Sequence, residues 1–401
     1  MANLNISFCG VPFENPFTVA ASPSSDSREK VRRALEAGWG GVVFKTTSMP
    51  AHSPRLAEPN MAGIPFQGRP QAAFYNIDLI SERPIEQIQD DIAYFRQLFP
   101  DRRLIGSIMA SDEKQWRTLV AKLEEAGADL IECSMSCPQG ENSVAGDESH
   151  PSTVIPASNR KLMEQTTRTI KESAVNGTPV IVKMTPNVTD IVDVGRGAVD
   201  GGADALCAID TVRGFIGLDV ETGLPLLNIH GLSTWGGLSG PAVKPIALGC
   251  VSQLAKALPV ELAGVGGVSS WQDAAEFLLL GARNVQVCTA ISRYGFQMVR
   301  SMESGLREYL ARKGYGSLDE MVGASLQYLV DFTQLDRNNH QQYSMDVERC
   351  VKCGACATAC QDAGFGALRY EKGKFPELDE AACRGCGVCR SVCPKNCIAL
   401  V

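Results

Sequence analysis

Eight cysteines near the C-terminus fall into two copies of one spacing. Cys350, Cys353, Cys356 and Cys360 form the first; Cys383, Cys386, Cys389 and Cys393, followed by Pro394, form the second. Each reads C-x2-C-x2-C-x3-C, a run suited to a pair of [4Fe–4S] cubanes: three close thiolates take three corners of one cluster and the fourth cysteine reaches across to the other. Cys360 is therefore expected on the second cluster and Cys393 on the first. Zinc sites and disulfides also use cysteine. Zinc motifs, however, usually pair two C-x2-C units at longer separation, and nothing in the chain suggests secretion. The chemistry on offer is electron transfer.

A chain of 401 residues has room for a large catalytic domain and an appendage. Its 44% hydrophobic and 21% charged content is ordinary soluble-protein usage. The net charge of −7 is spread out with no basic block, which argues against a nucleic-acid partner. There is no apolar leader and no apolar stretch of bilayer length, and thiols meant for clusters need a reducing compartment, so the expected location is the cytoplasm. The other seven cysteines, Cys9, Cys133, Cys137, Cys207, Cys250, Cys288 and Cys397, are scattered; most read as small buried hydrophobes.

Short apolar runs alternate with amphipathic stretches of helix length before the cysteine runs, as in a parallel sheet. Strands are expected at residues 17–21, 41–45, 104–109, 129–134, 180–184, 205–210, 260–264 and 284–288, with helices such as 28–37, 113–126, 158–175 and 271–280 between them. Glycine after a helix, as at Gly38 and Gly127, closes it in the left-handed conformation and lets the next strand begin. Eight strand–helix units over about 300 residues point to a (β/α)8 TIM barrel, with a doubly wound open sheet as the competing arrangement. The expected domains are a barrel over 1–314 led by a hairpin that plugs its bottom, a polar connector over 315–345, and a ferredoxin-like domain with two [4Fe–4S] clusters over 346–401.

Barrel chemistry collects in the loops after the strands. Those loops carry Lys45-Thr46-Thr47, Ser134 to Pro138, Lys183 to Asn187, Asp210-Thr211, Gly264 to Gly267 and Cys288-Thr289-Ala290. Lysines in apolar runs are costly unless paired or facing an anionic ligand. The glycines after the seventh strand and the helix start after the eighth suit a phosphate. A polar loop runs from Cys137 to about Asn159 and is expected to close over a substrate.

The stretches RRALEAGWGGVVFKTT, AGADLIECSMSCP, VIVKMTPNVTDI, GGADALCAIDT and GVGGVSSWQDAAEFLLLGA, together with the cysteine runs, resemble the catalytic subunits of bacterial dihydropyrimidine dehydrogenases, relatives of the dihydroorotate dehydrogenases. The resemblance covers nearly the whole chain. It implies FMN in the barrel mouth and reduction of the 5,6 C=C bond of uracil or thymine. It further implies Ala20, Lys45, Lys183, Thr211, Gly237, Gly266, Gly267, Cys288 and Thr289 as FMN contacts, Cys137 as general acid, and Ser136 and Thr211 as substrate contacts. A thiol over a flavin can supply the proton that accompanies hydride delivery if its pKa lies near working pH.

No G-x-G-x-x-G follows a strand, so a dinucleotide site is not expected in this chain. The clusters and the resemblance both point to electrons arriving from an FAD- and NAD(P)H-binding flavoprotein subunit in a hetero-oligomer, with a heterotetramer as one form. At three positions the chain departs from the family, which reads pyrimidine edges with asparagines. Here stand Asp112, Ser134 and Asp210. An ionised aspartate only accepts hydrogen bonds, whereas a carboxamide also donates. The expected substrate is thus uracil, thymine or a related cyclic amide. The alternatives are a different heterocycle or a dihydroorotate dehydrogenase-like activity, the latter disfavoured because acidic side chains repel a carboxylate.

Overall fold

The computed structural model describes residues 3–49, 55–66, 69–135, 157, 159–338, 341 and 343–400. The chain divides into two compact units, Met1–Tyr328 and Leu329–Val401.

The first unit is built on eight parallel strands: β1 (Phe17–Val19), β2 (Gly41–Val43), β3 (Arg103–Ile108), β4 (Leu130–Ser134), β5 (Val180–Met184), β6 (Ala205–Ala208), β7 (Glu261–Val265) and β8 (Ala282–Val287). Each pairs with the next, and β8 pairs with β1, so the sheet closes into a barrel. Between and after them run α1 (Arg28–Ala37), α2 (Ile85–Leu98), α3 (Glu113–Ala126), α4 (Arg160–Ser173), α5 (Ile191–Asp200), α6 (Lys244–Ala257), α7 (Trp271–Leu279) and α8 (Met298–Lys313). The competing open sheet is excluded by the closed ladder.

Local chemistry sets the helix ends. Ser27, Asn159 and Ser270 each accept the backbone N–H three residues on, at the N-termini of α1, α4 and α7, caps that contribute about 1 kcal/mol apiece. Gly38 and Gly127 end α1 and α3 at φ 115° and 81°, where a side chain would be strained.

Two additions close the barrel ends. Ile6–Phe8 and Val11–Phe13 form a hairpin that tucks Phe8 and Phe13 into the core and donates the Cys9 N–H to Glu261, at the start of β7. A four-stranded antiparallel sheet, ordered Val212–Gly214, Gly236–Ser239, Arg69–Asn76, Met61–Phe66, stands at the opposite end. The expected connector begins differently from the sequence reading. Residues up to Tyr328 belong to the first unit, and Leu318 and Met321 are fully buried in its core.

The second unit pairs Tyr343–Met345 with Ile398–Leu400 and Leu368–Arg369 with Glu377–Leu378, and carries helices Ala355–Ala363 and Val388–Ser391. Cysteine side chains make up much of its small core. Among the described residues no helix is long and apolar enough to cross a membrane.

Candidate functional site

A cavity of about 640 Å³ opens where the strand C-termini meet the antiparallel sheet, a size suited to a small-molecule or cofactor site. Seven of the residues singled out in the sequence line it: Lys45, Ser134, Asp210, Thr211, Gly237, Cys288 and Thr289. Four others lie just beneath or beside it. Ala20 is buried, and its N–H donates to Val287 O as β1 passes β8. Lys183 is buried inside the barrel, in register with Ser134 on one side and Cys207 on the other. Gly266 and Gly267 follow β7 with φ of 128° and 77°.

Lys45 is almost fully buried and is held by carboxylates of its own chain: Nζ lies 3.0 Å from Asp78 and 3.7 Å from Asp26. Burial raises the Asp78 carboxyl's pKa, while Lys45 and its hydrogen bond pull the other way. Burial likewise disfavours the charge on Lys183, but Cys207, Glu132 and Asp210 around it offset this, and its pKa stands above the ordinary lysine value. Cys288 is the reverse case, since burial pushes its thiol up and keeps it neutral.

The glycines are where close approach requires them. An idealised Cβ on Gly237 would sit 2.3 Å from Thr211 Oγ1, and one on Gly236 would sit 2.1 Å from Asn76 O. On Gly267 it would meet Gly240 O at 2.9 Å, and on Gly240 the Thr289 methyl at 3.6 Å. The segments Ser239–Gly240, Gly266–Gly267 and Cys288–Thr289 therefore converge, and Thr289 donates to Ser239 Oγ at 3.0 Å. Hydroxyls and glycine backbone at one end, with Lys45 in the lining and Lys183 beneath it, fit the phosphate and the ring of FMN.

Asp112 is a correction. It is exposed, does not line the cavity, and caps α3, accepting from Gln115 N at 2.8 Å and from the Gln115 side-chain amide at 2.5 Å. Its carboxylate is committed to the helix terminus, which favours negative charge. Ser136 and Cys137, with most of the loop to Asn159, lie outside the described residues.

Sequence reasoning gave no role of their own to three residues. Asp78 holds Lys45 from 33 positions away. Asn187 links two loops: it donates to Thr211 O at 3.0 Å and accepts from the Arg213 N–H at 2.8 Å. Ser239 meets Thr289. Only Asn187 left a local signal, as a carboxamide three residues past the end of β5; the other pairings are non-local.

In the second unit Cys360, Cys383, Cys386 and Cys389 line one small void, so the first run's fourth cysteine joins the second run's first three. Cys350 and Cys393 pack with them in the same core, and Cys353 is exposed. Among the described residues no three histidine, cysteine, aspartate or glutamate side chains come close enough for a single ion. Thiols spread around a void match a cubane's corners. Cys397, read as a buried hydrophobe, is buried, but its sulfur lies 3.3 Å from that of Cys393.

Residues 3–310 match the model of the dihydroorotate dehydrogenase family, and residues 344–400 that of the 4Fe-4S dicluster domain. The chain is 39% identical to the NAD-dependent dihydropyrimidine dehydrogenase subunit PreA of Escherichia coli K12, over 99% of this chain and 95% of that protein. It is 33% identical to the chloroplastic dihydropyrimidine dehydrogenase (NADP(+)) of Arabidopsis thaliana, over 88% of this chain and 83% of the relative. It is also 34% identical to the catalytic subunit of dihydroorotate dehydrogenase B (NAD(+)) from Pyrococcus abyssi, over 80% of this chain and 99% of that one.

Proposed function

The chain belongs to the dihydroorotate dehydrogenase family with a 4Fe-4S dicluster domain at its C-terminal end, and from that premise we propose that it reduces the 5,6 C=C bond of a pyrimidine or related cyclic amide. It is an oxidoreductase acting on CH–CH bonds, and its cofactors are FMN and two [4Fe–4S] clusters. The observation that carries the finer reading is the cavity itself, whose polar groups come from the ends of several different barrel strands.

Bound FMN supplies hydride chemistry at its ring. The protein's residues do the rest. The convergence of Ser239, Gly266–Gly267 and Thr289 is where the phosphate would be held, and Gly237 against Thr211 leaves room at the cavity wall. Lys45, fixed by Asp78, and Lys183, fixed from below, offer positive charge without a mobile counter-ion. Ser134 and Asp210 line the same space, within reach of a substrate ring. The Cys137 thiol would give its proton to the carbon next to the one that receives hydride, a step whose efficiency depends on a pKa near working pH.

In the second unit Cys360 with Cys383, Cys386 and Cys389 would hold one cluster, and Cys350, Cys353 and Cys356 with Cys393 the other. The electrons come from a partner subunit that binds FAD and NAD(P)H. The relative's being a subunit of an NAD-dependent enzyme and the missing dinucleotide fingerprint in this chain support this reading. Anaerobic turnover of the purified chain with dithionite on a panel of heterocycles tests the reading. Loss of the 5,6 double bond's absorbance in uracil, thymine or a related ring supports it; no turnover of any cyclic amide by protein replete in flavin and iron would sink it.

A further inference from the structure

Three side chains from three strands close a ring of hydrogen bonds across the bore of the barrel, below the cavity floor. Lys183 Nζ donates to Glu132 Oε1 at 3.3 Å and to Gln286 Oε1 at 3.2 Å, and Gln286 Nε2 donates to Glu132 Oε2 at 2.7 Å. Glu132 and Gln286 are each 1% exposed and Lys183 7%. Lys183 on β5 and Glu132 on β4 are on neighbouring strands, while β8, which carries Gln286, lies on the far side of the closed sheet.

Barrel interiors are ordinarily packed with branched aliphatic side chains. A buried ion pair is not an economical stabiliser, because desolvation can exceed the attraction and a hydrophobic replacement is often as good. The ring is therefore poorly explained by stability. Its position suggests another role. Lys183 stands in register with Ser134, which lines the cavity, and its charge acts on the Cys288 thiol, which lines it too.

We propose that Glu132 is a positioning residue that sets the reduction potential of the bound flavin: it fixes the Lys183 ammonium under the cavity floor and cancels part of its charge there. This rests on the reading of Lys183 as a flavin contact. A lysine alone would favour the more negative, reduced cofactor. The buried carboxylate restrains that preference, and Gln286, bonded to both ions, keeps the pair from separating. In so dry a place the charges act with little screening.

The test is the two-electron flavin potential of the full holo-chain, measured by anaerobic dye-linked titration, with flavin content determined alongside. Glu132→Gln keeps the shape of the side chain and removes its charge. It should leave FMN bound and raise the reduced-over-oxidised preference at least tenfold, about 30 mV for a two-electron couple. Lys183→Gln should shift the potential the other way, and the double variant should return close to the parent. If Lys183→Gln moves the potential but Glu132→Gln does not, Glu132 has no such role and the inference fails alone. If Lys183→Gln changes nothing, Lys183 is not a flavin contact and the underlying reading fails with it. Should Glu132→Gln not fold, Glu132→Asp, which withdraws the charge by one methylene, must still raise the potential; an unchanged value overturns the proposal.

Discussion

Gly237 and Thr211 share one site at the cavity wall: a methyl group on the glycine would occupy the place of the threonine hydroxyl, 2.3 Å from its oxygen. Gly237→Ala must therefore displace Thr211, at the end of the loop after β6. Overpacking of this kind costs about 1–3 kcal/mol. Flavin content of the purified variant should fall sharply while its circular dichroism and iron content stay unchanged. Full flavin occupancy would show that this wall does not contact the cofactor.

Replacing Cys360 separates the two cluster sites. Because Cys360 lines the void formed by Cys383, Cys386 and Cys389, Cys360→Ala should cost the second cluster its fourth ligand and reduce iron from about eight to about four per chain. Loss of iron associated with the first run instead would reverse the assignment.

Cys137 is expected to act as the proton donor. With alanine there, FMN should bind and be reduced by dithionite, while substrate reduction falls by about 10²–10⁴; serine, a far weaker acid, should restore little. Near-parental turnover of the alanine variant at neutral pH would remove Cys137 from the mechanism.

The isolated chain should not be reduced by NADH, since no dinucleotide fingerprint follows any of its strands. Dithionite should reduce it and support a single turnover. Rapid bleaching of the purified chain by NADH would contradict the partner-subunit route.

Ser134 and Asp210 line the cavity where asparagines are expected for pyrimidine recognition. If these residues redirect specificity, uracil should be a poor substrate, and Ser134→Asn with Asp210→Asn should improve its kcat/KM by about 1–3 kcal/mol of transition-state binding. Efficient reduction of uracil by the unaltered chain would dismiss the idea.

The barrel was legible because each of its strands is an apolar run between helical patterns, and α1 and α3 have the bounds their sequence predicts. The expected strands ran past the ladder at 20–21, 44–45 and 209–210, where Ala20, Ala21, Phe44 and Ile209 carry the apolar run into the loops. The antiparallel sheet was not foreseen. Gly236 and Gly237 have poor strand propensity, and the pairing of Gly237 with Asn76 spans 161 residues of sequence. Asp112 shows the opposite failure. Asp112-x-x-Gln115 is the spacing of a capping box, a local signal that the search for a lost asparagine overrode. Lys45 and Lys183 were rightly seen to need partners, but the identities of Asp78, Glu132 and Gln286 depend on barrel closure.

The strand Gly236–Ser239 is held between Arg69–Asn76 and Val212–Gly214, segments brought together only after more than a hundred residues of chain have been ordered. A molecule that touches both sides of this rim binds the folded chain and has no equivalent site on the unfolded one. Its binding energy is then folding energy, rising with the logarithm of its free concentration. The midpoint of thermal unfolding of the first unit should thus rise with added FMN, so that cofactor binding and folding are two readings of one equilibrium.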